Sequence, residues 1–290
     1  MVCAFGVGLP LLWDIPGHWR LMGALQNAGH AVLFFAMAFC LAWRQLPLLW
    51  VLLGLCAVGL GIEGLQYFIG KDCDIQDVAL DNLGALSGVL CYRALVRRSL
   101  TLALVPLGLI ATAFYIPSLI ALCYFTQWRN FPMLATFDEP GRAYLIDHHE
   151  GSEYALMALP AEFTQQNATQ VLQLKCPVQN WPGVALIDLA PNWQGFNGLQ
   201  LDVWLADKTP IQLGLALRGQ DNHSDHHDIS QRFALAPGFN SVLWPLADIR
   251  RAATDANLLT KIDKLIIFCM PEDTRKQPST LYVDRVRLAE

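Results

Sequence analysis

Up to about residue 126 the chain is a succession of apolar runs; from about residue 134 it changes to short runs in which apolar and polar residues alternate. A membrane-spanning helix needs about 20 mostly apolar residues. Four segments qualify, at about 30–43, 48–69, 76–96 and 102–125, the first only by borrowing residues before His30. Residues 1–13 are apolar but short and end at Asp14-Ile15-Pro16-Gly17. They read as a fifth span, a half-span or the stump of a truncated start. They do not read as a cleaved signal peptide, because no basic stretch and no small-residue cleavage site accompanies them. The pattern predicts an α-helical transmembrane bundle of four to five spans within residues 1–130.

The second half has a different period. Strand-like runs at 171–178, 184–191, 198–206, 211–219, 231–238, 240–249, 264–271 and 281–290 are bounded by Gly, Pro, Asn or Asp. Many short strands separated by turn residues predict an all-β sandwich, jelly-roll-like, over residues 131–290. In the last run Leu281, Val283, Val286 and Leu288 are apolar, with a phase slip at Asp284-Arg285. Length also suits a chain of two domains.

Composition agrees. The 290 residues are 54% hydrophobic and 16% charged, too apolar for an ordinary soluble protein, and the formal net charge is −5. No basic block points to nucleic acid. Arg44, Arg93, Arg97 and Arg98 mark two loops on one side of the bundle, the side that an excess of Lys/Arg assigns to the cytoplasm. The C-terminal domain is then extracytoplasmic on a multi-pass protein of the cytoplasmic membrane. Of eight Cys, several lie in apolar runs, where Cys is usually a small hydrophobe. Cys176 and Cys269 fall in strand-like segments of the exported half and are able to pair there if the fold brings them close.

This topology gathers the polar residues of the apolar half at one place, the outer membrane face. His30 opens its span, and Glu63 and Gln66 share a helix face near the end of theirs. Lys71, Asp72 and Asp74 fill the connecting loop; Asp77, Asp81 and Asn82 begin the next helix. Asp77 and Asp81 also suit a helix N-terminus electrostatically. The face carrying them continues as Gly84 and Gly88, a small-residue pair that lets another helix approach closely. An acid such as Glu63 within an apolar run marks a functional site by default; the other reading is a hydrogen-bond network that braces the bundle.

These residues resemble a known family. His30, the Glu63-x-x-Gln66 helix, the basic Lys71, Asp77-Val78 and Asn82-Leu83-Gly84 followed by Gly88 are similar to the pattern of VanZ-like membrane proteins, over roughly residues 14–96. The resemblance implies a bacterial cell-envelope protein, of a family named for a member linked to glycopeptide resistance, and supplies no reaction. Two positions depart from it. Gln26-Asn27 stand where an Asp-Lys pair is usual, and Lys71 replaces an Arg that would make bidentate contacts. The second half resembles carbohydrate-binding-module-like domains with a galactose-binding-like jelly roll. The carrying stretches are "FDEPG" at 137–141, "DLAPNWQGFNGLQLDVW" at 188–204, "FALAPGFNSVLWPLADIR" at 233–250 and "LYVDRVRL" at 281–288. That resemblance implies a structural calcium ion at Asp138, Glu139 and Asp284. Sugar stacking is expected of the aromatic residues near turns, Tyr144, Trp181, Trp193 and Phe196.

The run "DNHSDHHD" at 221–228 reads as an exposed polar loop, since no zinc-like spacing accompanies it. Asn167-Ala168-Thr169 fits a glycosylation sequon that would be idle in a bacterium. No G-x-S-x-G, S-x-x-K or H-E-x-x-H occurs. The leading expectation is an inner-membrane protein presenting a glycan- or envelope-binding sandwich, with the lipid bilayer as its other partner. The alternative is a membrane enzyme on a lipid-linked envelope substrate, with His30, Glu63 and Asp77 as acid/base candidates. A solute pathway through the same cluster ranks below both.

Overall fold

The computed structural model describes residues 20–70, 75–149, 152–163, 170–177, 181–190, 192–219, 229–253, 257–270 and 278–290. It divides the chain into two compact units, residues 1–119 and 120–290.

The first unit is helical. Helix α1 (Arg20–Trp43) runs ten residues ahead of the expected start, α2 covers Leu48–Phe68 and α3 covers Ile75–Arg97. The turn after α1 passes through Gln45 at φ 59 and meets Pro47, which cannot donate to a preceding turn. Helix α2 stops at Gly70, at φ 81, a conformation that glycine adopts without steric cost. Helix α4 (Leu100–Ala113) starts at Ser99, whose hydroxyl accepts from the Leu102 N–H at 3.3 Å, satisfying one orphan donor.

The fourth expected span is broken. Helix α4 ends at Ala113 and α5 (Tyr115–Asn130) continues at an angle of 50°. Pro117 explains the break: it has no N–H for the Ala113 carbonyl, and its ring crowds that carbonyl. Among the described residues, α1 and α2 are each long and apolar enough to cross a membrane, and α4 with α5 makes a third if the bent pair is one span. The expected third span is a helix of full length, but its Asp, Asn and Arg residues leave it too polar to count by composition. Of its polar residues Asp81 and Ser87 are buried, Asp77 and Asn82 half-buried, and Arg93 and Arg97 exposed.

Helices α1 and α3 pack through glycine. A Cβ at Gly84 would collide with the Ala31 carbonyl, and one at Gly88 with the Phe35 carbonyl. The small-residue pair is thus a contact between backbones. Phe34, Ala38, Val51, Leu55, Ala85 and Val89 fill the interior between the three helices.

The second unit holds two antiparallel sheets whose inner faces share one core. One sheet has the order β3 (Glu153–Met157), β4 (Val171–Cys176), β11 (Ser279–Ala289), β6 (Gly198–Leu205), β9 (Gly238–Pro245), with β1 (Met133–Ala135) also on β11. The other has the order β2 (Ile146–His149), β5 (Gly183–Ile187), β10 (Ile262–Cys269), β7 (Ile211–Gly219), β8 (Ile229–Leu235). Leu172, Leu174, Leu201, Val203, Leu281 and Val283 meet Val184, Leu186, Leu213, Leu215, Leu265 and Ile267 in that core. The period of two in the sequence is this alternation between core and outer face. A short helix, α6 (Leu246–Ala252), closes one end with Leu246 and Ile249 buried.

The phase slip is a bulge. Pairing of β11 with β6 shifts between Asp284 and Arg287, and Arg285 sits at φ 47. The extra residue restores Val286 and Leu288 to the core side. Cys176 and Cys269, one from each sheet, are joined by a disulfide with their Cα atoms 5.8 Å apart.

Two measurements check this architecture. Gly84→Leu drives a side chain into the Ala31 backbone and should cost about 1–3 kcal/mol by overpacking, read as a lower Tm of the detergent-solubilised protein. Gly61→Leu, with nothing within 4 Å of its Cβ, should leave Tm nearly unchanged. Opening the disulfide, which closes a sequence separation of 93, should cost about 4.6 kcal/mol in the chain-entropy view, seen as a reductant-dependent fall in the denaturation midpoint.

Candidate functional site: a buried polar cluster and an outer sheet face

Helices α1, α2 and α3 each bring polar side chains into the apolar interior of the first unit. His30 is 2% exposed, Glu63 3%, Gln66 8% and Asp81 1%. His30 Nδ1 and Asp81 Oδ1 are 3.2 Å apart, a pair 51 residues distant in sequence. The carboxylates of Asp77 and Glu63 are close enough to act electrostatically on the same imidazole. Gly59 of α2 makes the room: a Cβ there would lie 2.7 Å from Asp81 Oδ2. That oxygen is buried without a hydrogen-bond partner, the Oδ1 being taken by His30.

The geometry reorders the expected residues. Glu63 and Asp77 lie within electrostatic reach of His30, Gln66 is buried on the same helix as Glu63, and the hydrogen-bond partner of the imidazole is Asp81. The spacing signal was present: Asp77 and Asp81 lie four apart, on the face that Gly84 and Gly88 continue. Asn82 belongs to the helix itself, since its side-chain amide donates to the Val78 carbonyl at 2.7 Å. Lys71 lies outside the described residues. An imidazole clasped by a carboxylate can take up and release a proton, and low-dielectric surroundings strengthen that pairing. The same pair also serves to neutralise a buried charge.

The sandwich treats its aromatic candidates unequally. Trp193 is fully buried, donating its N–H to the Leu259 carbonyl and its Nε1–H to the Ala190 carbonyl, each at 2.7 Å. It is a core residue and offers no face for stacking. Phe196 is half-buried, with its ring 5.5 Å from that of Phe131. Tyr144 and Trp181 are both exposed.

Trp181 stands beside a surface that the strand pattern alone does not mark. On the outward face of the five-stranded sheet, one row of partners runs Asp147, Ala185, Ile266, Ala216, Ser230, and the next runs His149, Gly183, Phe268, Gly214, Arg232. Small residues flank the middle of both rows, which is Ile266 in one and Phe268 in the other. The Phe268 ring lies over Gly214, where a Cβ would strike it. Its centroid is 5.8 Å from that of Trp181 and 6.5 Å from that of His149. The middle of this face is buried, and its accessible groups are the Trp181 indole together with the carboxylate, imidazole, hydroxyl and guanidinium groups at the row ends.

The residues expected to hold calcium have other partners in part. The Glu139 carboxylate accepts from the Arg142 Nε–H at 3.2 Å and from the Thr136 N–H, and Arg142 is itself fully buried. Among the described residues no group of three or more His, Cys, Asp or Glu side chains could hold a metal ion. Asp284 is buried with Oδ1 lacking a hydrogen-bond partner. Asp202 next to it pairs with the Arg285 guanidinium at 2.8 Å. Burial pushes the Asp284 carboxyl up to about 7; the Arg285 backbone N–H and charge pull the other way, and Asp138 and Asp202 add to the rise. The run at 221–228 and the sequon at 167–169 lie outside the described residues.

Residues 5–97 match the family model of VanZ/LLP1. This helical region is VanZ-like. The match takes in α1, α2 and α3 and so every described member of the polar cluster. No curated protein matches the chain. Among solved structures the chain is similar to an exo-β-agarase, at 14% identity and a TM-score of 0.43, over 54% of this chain and 24% of that one. It is similar to a family 28 carbohydrate-binding module specific for non-crystalline cellulose, at 10% identity and a TM-score of 0.39, over 54% of this chain and 92% of the module. A family 11 carbohydrate-binding module of a cellulosomal cellulase of Clostridium thermocellum matches at 10% identity and a TM-score of 0.36, over 50% and 85%. The chain thus spans about a quarter of the agarase's length.

The VanZ-like cluster and Asp284 each give a prediction. His30→Leu leaves the Asp81 carboxylate buried and unpaired and should cost about 3–5 kcal/mol, whereas the His30→Leu/Asp81→Leu double variant should recover most of it; thermal unfolding in detergent reads both. For Asp284, a folded pKa of about 7 against an ordinary 3.8 means the native state holds the proton across that window. Its contribution to stability is therefore full below about pH 4, falls by up to about 4 kcal/mol as pH rises to about 7, and is level above. Denaturant titrations should show the wild type losing that stability relative to Asp284→Asn as pH rises; a flat difference would contradict the assignment.

Proposed function

We propose that this is a membrane protein whose VanZ-like helices anchor a β-sandwich that binds glycan, or another envelope component, outside the cytoplasmic membrane. The observation that carries the reading is the outward face of the five-stranded sheet. There the exposed Trp181 indole, at the edge of the buried Phe268 ring, suits a sugar ring, whose CH face packs on aromatic surface. Asp147, His149, Ser230 and Arg232 supply the donors and acceptors that hydroxyl groups require. Two features support placement outside the cytoplasm: Lys/Arg sit preferentially in the loops holding Arg44 and Arg97, and a Cys176–Cys269 disulfide persists in an oxidising compartment.

A second reading rests on the His30–Asp81 pair. With Glu63 and Asp77 beside it, it supplies a proton acceptor within an apolar bundle, as an enzyme acting on a lipid-linked envelope substrate would need. Asp81→Asn with Glu63→Gln separates the readings: loss of an envelope phenotype in a stably folded double variant favours the enzyme, and an intact phenotype removes it.

Calorimetry of the purified full-length protein against bacterial envelope polysaccharides tests the first reading. Trp181→Ala should weaken binding about 30-fold, the ~2 kcal/mol of a stacking anchor. Phe239→Ala is the control, an exposed aromatic residue on the six-stranded sheet, and should bind as the wild type does. Absence of binding to every polysaccharide tried sinks the proposal.

A further inference from the structure

Helix α5 has two opposed faces from Ile120 onward. Ile120, Cys123 and Gln127 are buried, at 2%, 0% and 4% exposure. Tyr124 donates a hydrogen bond to the Asp188 carboxylate, and Cys123 lies within the electrostatic reach of Arg142 and Glu139. These partners belong to the β-sandwich, whose polar loops cannot enter hydrocarbon without leaving backbone groups unsatisfied. Where the sandwich reaches along the helix, that stretch is outside the bilayer core.

The opposite face is apolar and uncovered. Leu122 is 45% exposed, Phe125 56% and Trp128 77%. They recur every three residues and so form one stripe, the Phe125 and Trp128 rings being 6.3 Å apart. Arg129 and Asn130 end the helix, and β1 begins at Met133. With so short a connection, and apolar helix α4 immediately before it, this stripe stays within reach of the membrane that the proposed function invokes.

We propose that residues 120–130 lie in the bilayer interface, with lipid on the Leu122–Phe125–Trp128 edge and the sandwich docked on the Ile120–Cys123–Gln127 edge. The helix is then a membrane-surface mount rather than the upper half of a span. Amphipathic helices with an aromatic apolar edge take this position, and Trp favours the interface. The inference rests on the membrane reading above.

The test uses the full-length protein in phosphatidylcholine vesicles brominated either near the headgroup or near the chain end. Trp128→Phe isolates the Trp128 contribution to tryptophan quenching. Leu122→Trp and Phe125→Trp, each in the Trp128→Phe background, report the other two positions. The expected result is quenching at all three, stronger from the shallow bromines. Deep quenching that grows from 128 to 122 would overturn the proposal in favour of an upright span. No quenching at the three positions while Trp50→Phe still removes a quenched component would also overturn it, placing the stripe in water or against another protein surface. If the Trp50 component is absent too, the membrane reading itself fails and this inference with it.

Discussion

A buried carboxylate among apolar helices has to be paired, and Asp81 is paired with His30. That requirement organises the first unit. For the two groups to meet, α1 and α3 must touch along their backbones, which Gly84 and Gly88 permit. For the carboxylate to fit beneath α2, Gly59 must lack a side chain. Three glycines on two helices thus serve one ionic contact. The cost of an unpaired charge in such surroundings is several kcal/mol, larger than any propensity difference along these helices. Glu63 and Asp77 lie within electrostatic reach of a pair whose geometry is already fixed.

The sandwich obeys a different constraint. Its two sheets share one apolar core, so the strands must keep their inward residues in phase. β11 does so through the bulge at Asp284-Arg285, which returns Val286 and Leu288 to the core, while Asp284 and Asp202 pair on the other face and Arg285 neutralises Asp202. On the opposite sheet the same alternation puts Gly183, Gly214, Ala185 and Ala216 on the outward face. Small residues there make room for the buried Phe268 ring, with Trp181 beside it.

Much of this was legible in the residues. The change of hydrophobic period near residue 130 separates helices from strands, and the slip at Asp284 foretells the bulge. Glu63, Asp77 and His30 stand out because ionisable groups are rare in apolar runs, and both acids lie within electrostatic reach of the imidazole. Trp193 misled, because a tryptophan near a turn reads the same whether its indole faces solvent or donates inward to Ala190. Glu139 misled likewise, its carboxylate being taken by a buried Arg142 three residues on. The bend in the fourth run was not anticipated, although Pro117, where it falls, stands in the sequence.

The sequence by itself determined where helices and strands lie, which positions carry expensive polar groups and which glycines permit close approach, since these follow from periodicity, solvation and side-chain size along the chain. Only the tertiary structure decided which polar groups meet. His30 with Asp81, Cys176 with Cys269, Phe268 with Trp181, and the sandwich with one edge of α5 are contacts across long sequence separations. They are set by how helices and sheets pack, and no local spacing encodes them.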